Sequence, residues 1–296
     1  MEQWFRPMGL NLRVSTDDAR LAQAVGDAYG AFGGGDAAAA AGLQFDFELS
    51  ERRSTFQLEY RMTAHSAELL SDGGAILSVD ATGCARGRFP SNSLDDRSAF
   101  RLHVLQFALA AALSTRGFLG VHAACLSIGA TAVLLRGPRG VGKSVLAYAA
   151  ASRGFRVIAG STVWIAPDGD NWWGFPRWIY LRPSALTLFP EIASGVEVVI
   201  GDEVKVEIDL GPPAETSVRP GIIVFLDRSC REMSVPRSDA LSHWKRGEAG
   251  NEASAPDYEK RISRLLARPL YRLNPDNNIG RVWELIASIA RDHGAC

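Results

Sequence analysis

The sequence predicts an α/β chain: a small α+β region over residues 1–100, followed by an α/β domain over 101–296 built around a strand, a glycine-rich turn and a helix. Three observations predict it. TAVLLR (131–136) is almost wholly apolar, as a strand covered on both faces should be. It runs into a turn punctuated by Gly137, Gly140 and Gly142, and then into SVLAYAAASRG, a helical pattern with Gly154 near its end. Upstream, segments of alternating apolar and polar residues surround one helical pattern, as half-buried strands do in an α+β region.

The elements follow in order. LNLRVS (10–15) reads as a strand, and TDDARLAQAVGDAYGAF (16–32) as a helix opened by a Thr/Asp cap. GGGDAAAAAG (33–42) is low in complexity and reads as a surface loop. FDFELS (45–50), TFQLEYRM (55–62) and AILSVDA (75–81) alternate, which suggests an antiparallel sheet. SAFRLHVLQFALAAALSTRG (98–117) is a strongly apolar helix. VHAACLSIG (121–129) precedes the strand that opens the glycine turn. FRVIAG (155–160), STVWIA (161–166) and the aromatic stretch NWWGFPRWIYL (171–181) come after the turn's helix. VEVVIGDEVKVEIDL (196–210) is a hairpin pattern with Gly201-Asp202 at its turn. RPGIIVFLDRS (219–229) contains another buried strand, and GEAGNEASAPDYEK (247–260) reads as a polar, mobile loop. VWELIASIARDHG (282–294) closes the pattern as a helix, and no internal repeat is present.

Composition narrows the function classes. The chain has 296 residues, 47% hydrophobic and 22% charged, enough for a core of ordinary size. Its net charge of −1 offers no field for nucleic acid or an anionic membrane, so neither is expected as a partner. Cys84, Cys125, Cys230 and Cys296 show neither zinc-site nor disulfide-framework spacing, and reduced thiols in a cytoplasmic protein are expected. The start MEQWFRPMGLNLRV lacks the basic-then-apolar pattern of a signal peptide. No apolar run reaches the roughly 18 residues of a membrane span. Arginines number 28 and lysines four, so Lys143 stands out.

Gly137-Pro138-Arg139-Gly140-Val141-Gly142-Lys143-Ser144 fits the P-loop pattern G-x-x-x-x-G-K-[ST] at every fixed position. The residue types suit a triphosphate. Glycines let successive N–H groups turn inward as a nest for phosphate oxygens, and the helix starting near Lys143 adds its positive dipole end. Lys143 would reach the β- and γ-phosphates of ATP, and the Ser144 hydroxyl would hold Mg²⁺.

Around this motif, VHAACLSIGATAVLLRGPRGVGKSVLAYAAASRGFRVIA resembles the catalytic domain of the HPr kinase/phosphorylase family, in its shorter related branch. Val121-His122 opens the strand before the P-loop strand, and Arg153-Gly154 ends the P-loop helix. GFPRWIYLRPSALTLFPEI resembles the family's G-x-P…L-R segment, while VKVEIDL and GIIVFLD resemble its later strands. The likeness covers residues 118–230 well, 231–296 loosely and 1–100 by position only. It implies a P-loop mixed-sheet domain like that of phosphoenolpyruvate carboxykinase. It also implies transfer of phosphate from ATP, or in some members pyrophosphate, to a serine hydroxyl of a small protein or precursor peptide. A homo-oligomer is a further implication.

One departure bears on activity. Where the family reads R-x-x-A-D-D, with an Asp placed as the base and an acidic pair supporting the metal, this chain reads Arg156-Val157-Ile158-Ala159-Gly160-Ser161. A general base contributes about 10²–10⁴-fold. Two outcomes stay open: another residue replaces the base, or the chain is a pseudokinase that holds nucleotide as a regulator. A third is an ATPase or phosphorylase using the same cradle. Substitute bases are Asp168 and Asp170, which also fit an ordinary hairpin turn, and His122, which the resemblance places near the phosphates but which also fits a buried, hydrogen-bonded histidine. Asp227, ending GIIVFLD, sits where a Walker-B acid would hold Mg²⁺ through water, and also fits a turn residue beside Arg228. Trp172, Trp173 and Trp178 could form a peptide-docking surface or a core, and Arg177 and Arg182 could serve phosphate or solvent. The acceptor would be a hydroxyl on a small protein, a peptide or a small molecule.

Overall fold

The computed structural model describes residues 1–54, 57–63, 66–72, 74–213, 215–230, 237–248, 252–255, 257–275 and 278–294. The chain divides into two compact units, Met1–Phe118 and Leu119–Cys296. The division falls later than the sequence pattern placed it, because the apolar helical segment after residue 96 packs within the first unit.

The first unit is a seven-stranded sheet. Its strands are β1 (Glu2–Phe5), β2 (Leu12–Thr16), β3 (Leu43–Ser50), β4 (Glu59–Met62), β5 (Ala67–Ser71), β6 (Gly74–Val79) and β7 (Cys84–Pro90), in the order β1-β2-β3-β7-β6-β5-β4. The antiparallel expectation is corrected here: β2 with β3, and β3 with β7, are parallel. Helix α1 (Ala19–Tyr29) carries the chain across between β2 and β3, so β3 returns in the same direction. Its cap is Asp18, whose side chain accepts from the N–H groups of Arg20 and Leu21. The expected strand 55–62 is seen as β4; residues 55 and 56 lie outside the described residues. The apolar segment is not one smooth helix. Helices α2 (Arg97–Phe100) and α3 (Gln106–Thr115) are joined by a π-helical turn at Arg101–Leu105, and the buried Tyr29 hydroxyl donates to the Leu105 carbonyl at 2.6 Å.

The second unit begins with β8 (Leu119–Val121), β9 (Ala123–Ile128) and β10 (Thr131–Arg136), followed by helix α4 (Lys143–Ala151) and β11 (Arg156–Ala159). Next come β12 (Val163–Ile165), β13 (Trp172–Trp173), β14 (Trp178–Leu181), β15 (Val196–Ile200), β16 (Glu203–Asp209), β17 (Ser217–Val218) and β18 (Ile222–Leu226). Helices α5 (Arg237–Lys245) and α6 (Tyr258–Leu265), strand β19 (Leu270–Leu273) and helix α7 (Ile279–Gly294) complete it. The central sheet runs β11-β9-β10-β18-β19 and is mixed: β10, β18 and β19 are parallel, while β9 opposes β10 and β11 opposes β9.

Every residue of β9, β10 and β18 is buried, as two-sided apolar strands must be. On one face Val133, Leu135 and Val224 pack with Leu146 of α4 and Ile286 of α7. On the other, Leu134, Ile223 and Phe225 pack with Trp244 of α5 and Ile262 of α6. This second layer corrects the polar-loop expectation for 247–260: Tyr258 and Glu252 are buried, and Tyr258 opens α6. Two smaller sheets, β17-β13-β12-β8 and β14-β16-β15, complete the unit. Among the described residues no helix is long and apolar enough to cross a membrane.

Candidate functional site

The site grows from the end of β10. Gly137 follows it with φ 154°, and a Cβ there would stand 2.6 Å from the Leu226 carbonyl of β18, so only glycine lets the two strand ends approach this closely. Gly140 (φ 78°) and Gly142 (φ 114°) hold left-handed conformations, and Gly142 caps α4. The glycine-rich run therefore bends back over the N-terminal end of α4, where free N–H groups concentrate.

Lys143 is 5% exposed, and its Nζ donates to the carbonyls of Gly137 (2.7 Å) and Pro138 (3.0 Å). Burial, with the charges of Arg136, Arg139 and Lys205, lowers its pKa to about 7, against an opposing pull from Glu252. Ser144 donates its hydroxyl to the Gly160 carbonyl at 3.1 Å. The backbone of Gly160 thus engages the Ser144 hydroxyl. Arg228 donates to the Gly140 carbonyl at 3.3 Å.

Beside the turn lies a cavity of about 500 Å³. The loop and α4 supply Arg139, Lys143 and Ser144, and β16 supplies Glu203 and Lys205. Arg182 follows β14, Arg228 follows β18, and His122 comes from the β8–β9 junction. Among the described residues, five basic side chains and one carboxylate line the cavity; that carboxylate, Glu203, is held by Arg182 at 2.6 Å and Lys205 at 3.6 Å. The lining also includes the apolar side chains of Val145, Leu188 and Ile279.

His122 lines this cavity. Burial, reinforced by Lys143, Arg136, Arg139 and Lys205, lowers its pKa to about 3, so the ring is neutral. Its main chain is gripped at both ends: its N–H donates to Glu252 Oε1 at 2.6 Å, and its carbonyl accepts from Arg136 Nη1 at 3.0 Å. Arg136 is fully buried, lies 4.3 Å over the Trp244 ring and pairs with Glu252 at 2.7 and 3.1 Å. This brace under the cradle escaped sequence reading. Its one signal was an arginine ending an otherwise apolar strand, which demands a buried carboxylate partner; nothing in the sequence points to Glu252 as that partner.

The remaining expected residues lie elsewhere. Asp168 and Asp170 sit on the turn between β12 and β13, where Asp168 Oδ1 accepts from the Asp170 N–H at 2.9 Å; neither lines the cavity. Asp227 is also absent from the lining. It is bound by Arg272 (2.9 Å), Arg246 (3.1 Å) and the Ser229 hydroxyl (2.7 Å). Burial pushes its pKa up, but Ser229 and Arg272 outweigh that and bring it to about 2. Trp172 is fully buried and Trp178 is 6% exposed, so both are core residues, while Trp173 is half-buried. Arg177 pairs with Asp209 at 2.9 Å and stacks on Trp178. Among the described residues, no group of three His, Cys, Asp or Glu side chains could hold a metal ion.

No family model and no curated protein matches the chain. Among solved structures, it is similar to the Hpr(Ser) kinase/phosphatase from Coxiella burnetii, with a TM-score of 0.32 and 12% sequence identity over 60% of this chain and 96% of that one. That likeness is distant, and the chain itself is a mixed α/β protein with parallel and antiparallel sheets.

Proposed function

We propose that this chain binds ATP through Gly137–Ser144 and acts as a kinase-related phosphotransferase toward a hydroxyl, with serine on a small protein or peptide as the acceptor class. One observation carries the reading: a P-loop-patterned turn at the head of α4 opens on a cavity lined, among the described residues, by five basic side chains and one carboxylate. Phosphoryl transfer relies on positioning and charge neutralisation, and the cradle offers both. The neutral ring of His122 is, among the described residues, the one imidazole in the lining and takes the role of proton acceptor. With its pKa near 3 it is a weak base, so turnover is slow in this reading.

A second reading, a nucleotide-binding regulator without turnover, is favoured by Gly160 and Ser161 and by the absence of Asp168 and Asp170 from the cavity lining. The test incubates the full chain with γ-labelled ATP and proteins encoded by neighbouring genes. Label on an acceptor, lost in Lys143→Ala, supports transfer. Saturable ATP binding without label supports the regulator, and no ATP binding refutes both.

A further inference from the structure

We propose that the cradle holds its triphosphate without a divalent cation, basic side chains supplying the counter-charge that Mg²⁺ supplies elsewhere. This rests on the ATP-binding reading above and concerns the same site.

The described residues do not fit Mg²⁺. That ion needs near-octahedral oxygen ligands and in phosphate sites is anchored by one or two carboxylates. The loop hydroxyl suited to it, Ser144, donates to the Gly160 carbonyl. The positions that would bring acids beside it are Gly160 and Ser161. Asp227, at the end of β18, accepts from Arg272, Arg246 and Ser229, and turning it toward a metal would leave two guanidinium groups without their carboxylate. Among the described residues Glu203 is the one acid lining the cavity, and it is held between Arg182 and Lys205.

The cations, by contrast, are placed from separate elements around one space: Arg139 in the loop, Lys143 on α4, Arg182 after β14, Lys205 on β16 and Arg228 after β18. An added dication would enter a region that is already strongly positive. A bare polyphosphate matches it, since Arg and Lys clamps stabilise phosphoryl oxygens as metal ions do. Binding should then be steeply salt-dependent and should improve when Mg²⁺, which competes for the phosphate oxygens, is removed.

The experiment is isothermal titration of the full chain with ATP at fixed ionic strength, once in excess Mg²⁺ and once in EDTA, repeated with inorganic triphosphate. The expected result is an affinity in EDTA equal to or tighter than that in Mg²⁺, and a five- to tenfold loss in Lys205→Ala under EDTA. An affinity more than threefold weaker in EDTA overturns the proposal while leaving ATP binding intact. Unaltered EDTA affinity in both Lys205→Ala and Arg228→Ala also overturns it. Absence of heat under either condition removes the ATP-binding reading itself.

Discussion

Glu252→Ala is the most informative perturbation of the site's foundation. Glu252 is 6% exposed and Arg136 is fully buried. The carboxylate accepts two guanidinium bonds, at 2.7 and 3.1 Å, and the His122 N–H at 2.6 Å. Removing it leaves a buried guanidinium without its counter-charge, which costs about 3–5 kcal/mol. At roughly 2–4 °C per kcal/mol for a unit of this size, the midpoint of thermal unfolding should fall by about 6–20 °C. Circular dichroism melts of wild type, Glu252→Ala, Arg136→Met and the double variant complete a cycle. The double variant should be less damaged than the two single losses added together, with a coupling of about 2–3 kcal/mol. An unfolding midpoint within 2–3 °C of wild type in Glu252→Ala, or strict additivity in the cycle, would refute the buried brace.

Further outcomes follow from the same geometry. Lys143→Ala should weaken ATP binding by about 1.5–3 kcal/mol, or roughly 10–150-fold by calorimetry, through loss of a charge-assisted phosphate contact. Because burial lowers the Lys143 pKa from 10.5 to about 7, the unfolded chain holds a proton there that the folded one lacks between those values. The empty protein should therefore gain stability from this group as pH rises above about 7, and Lys143→Met should flatten that slope between pH 7 and 8.5 in urea titrations. Anionic phosphate would restore the proton, so ATP titrations at pH 8 should show heats that depend on the buffer's ionisation enthalpy. His122, lowered from 6.5 to about 3, works on the acid side: stability should decline as pH falls through that window, less so in His122→Gln. Gly247→Ala should cost about 1–3 kcal/mol in thermal unfolding, since its Cβ would stand 2.8 Å from Arg136 Nε and 3.1 Å from the Gly137 nitrogen.

The strand–turn–helix unit was legible because its signals are local: an apolar run, three spaced glycines and a helical stretch lie within about two dozen residues of one another. The parallel pairing of β2, β3 and β7 was not, since alternation describes a strand's faces and says nothing of its neighbours' direction. Trp172 and Trp178 carried an ambiguity that burial resolves toward the core. Gly174, between the two, is forced by space: a Cβ there would lie 1.9 Å from the Ile158 carbonyl. Lys205 and Glu203 joined the site through a hairpin that read only as alternation, and Glu252 through a long-range ion pair whose partner lies 116 positions away. Charge pairs at that separation leave no periodic trace.

The full enclosure of β10 has a consequence for how the polypeptide is made. Its parallel neighbour β18 begins at Ile222, and α7, whose Gly294 approaches Thr131, comes later still. At about 5–20 residues per second a ribosome needs several seconds to reach β18, and throughout that interval an apolar strand edge stands open beside the nascent cradle. Under the ATP-binding reading proposed above, trimming α7 should uncover Val133 and Leu135 and lower nucleotide affinity, because the turn sits on a strand whose cover arrives last.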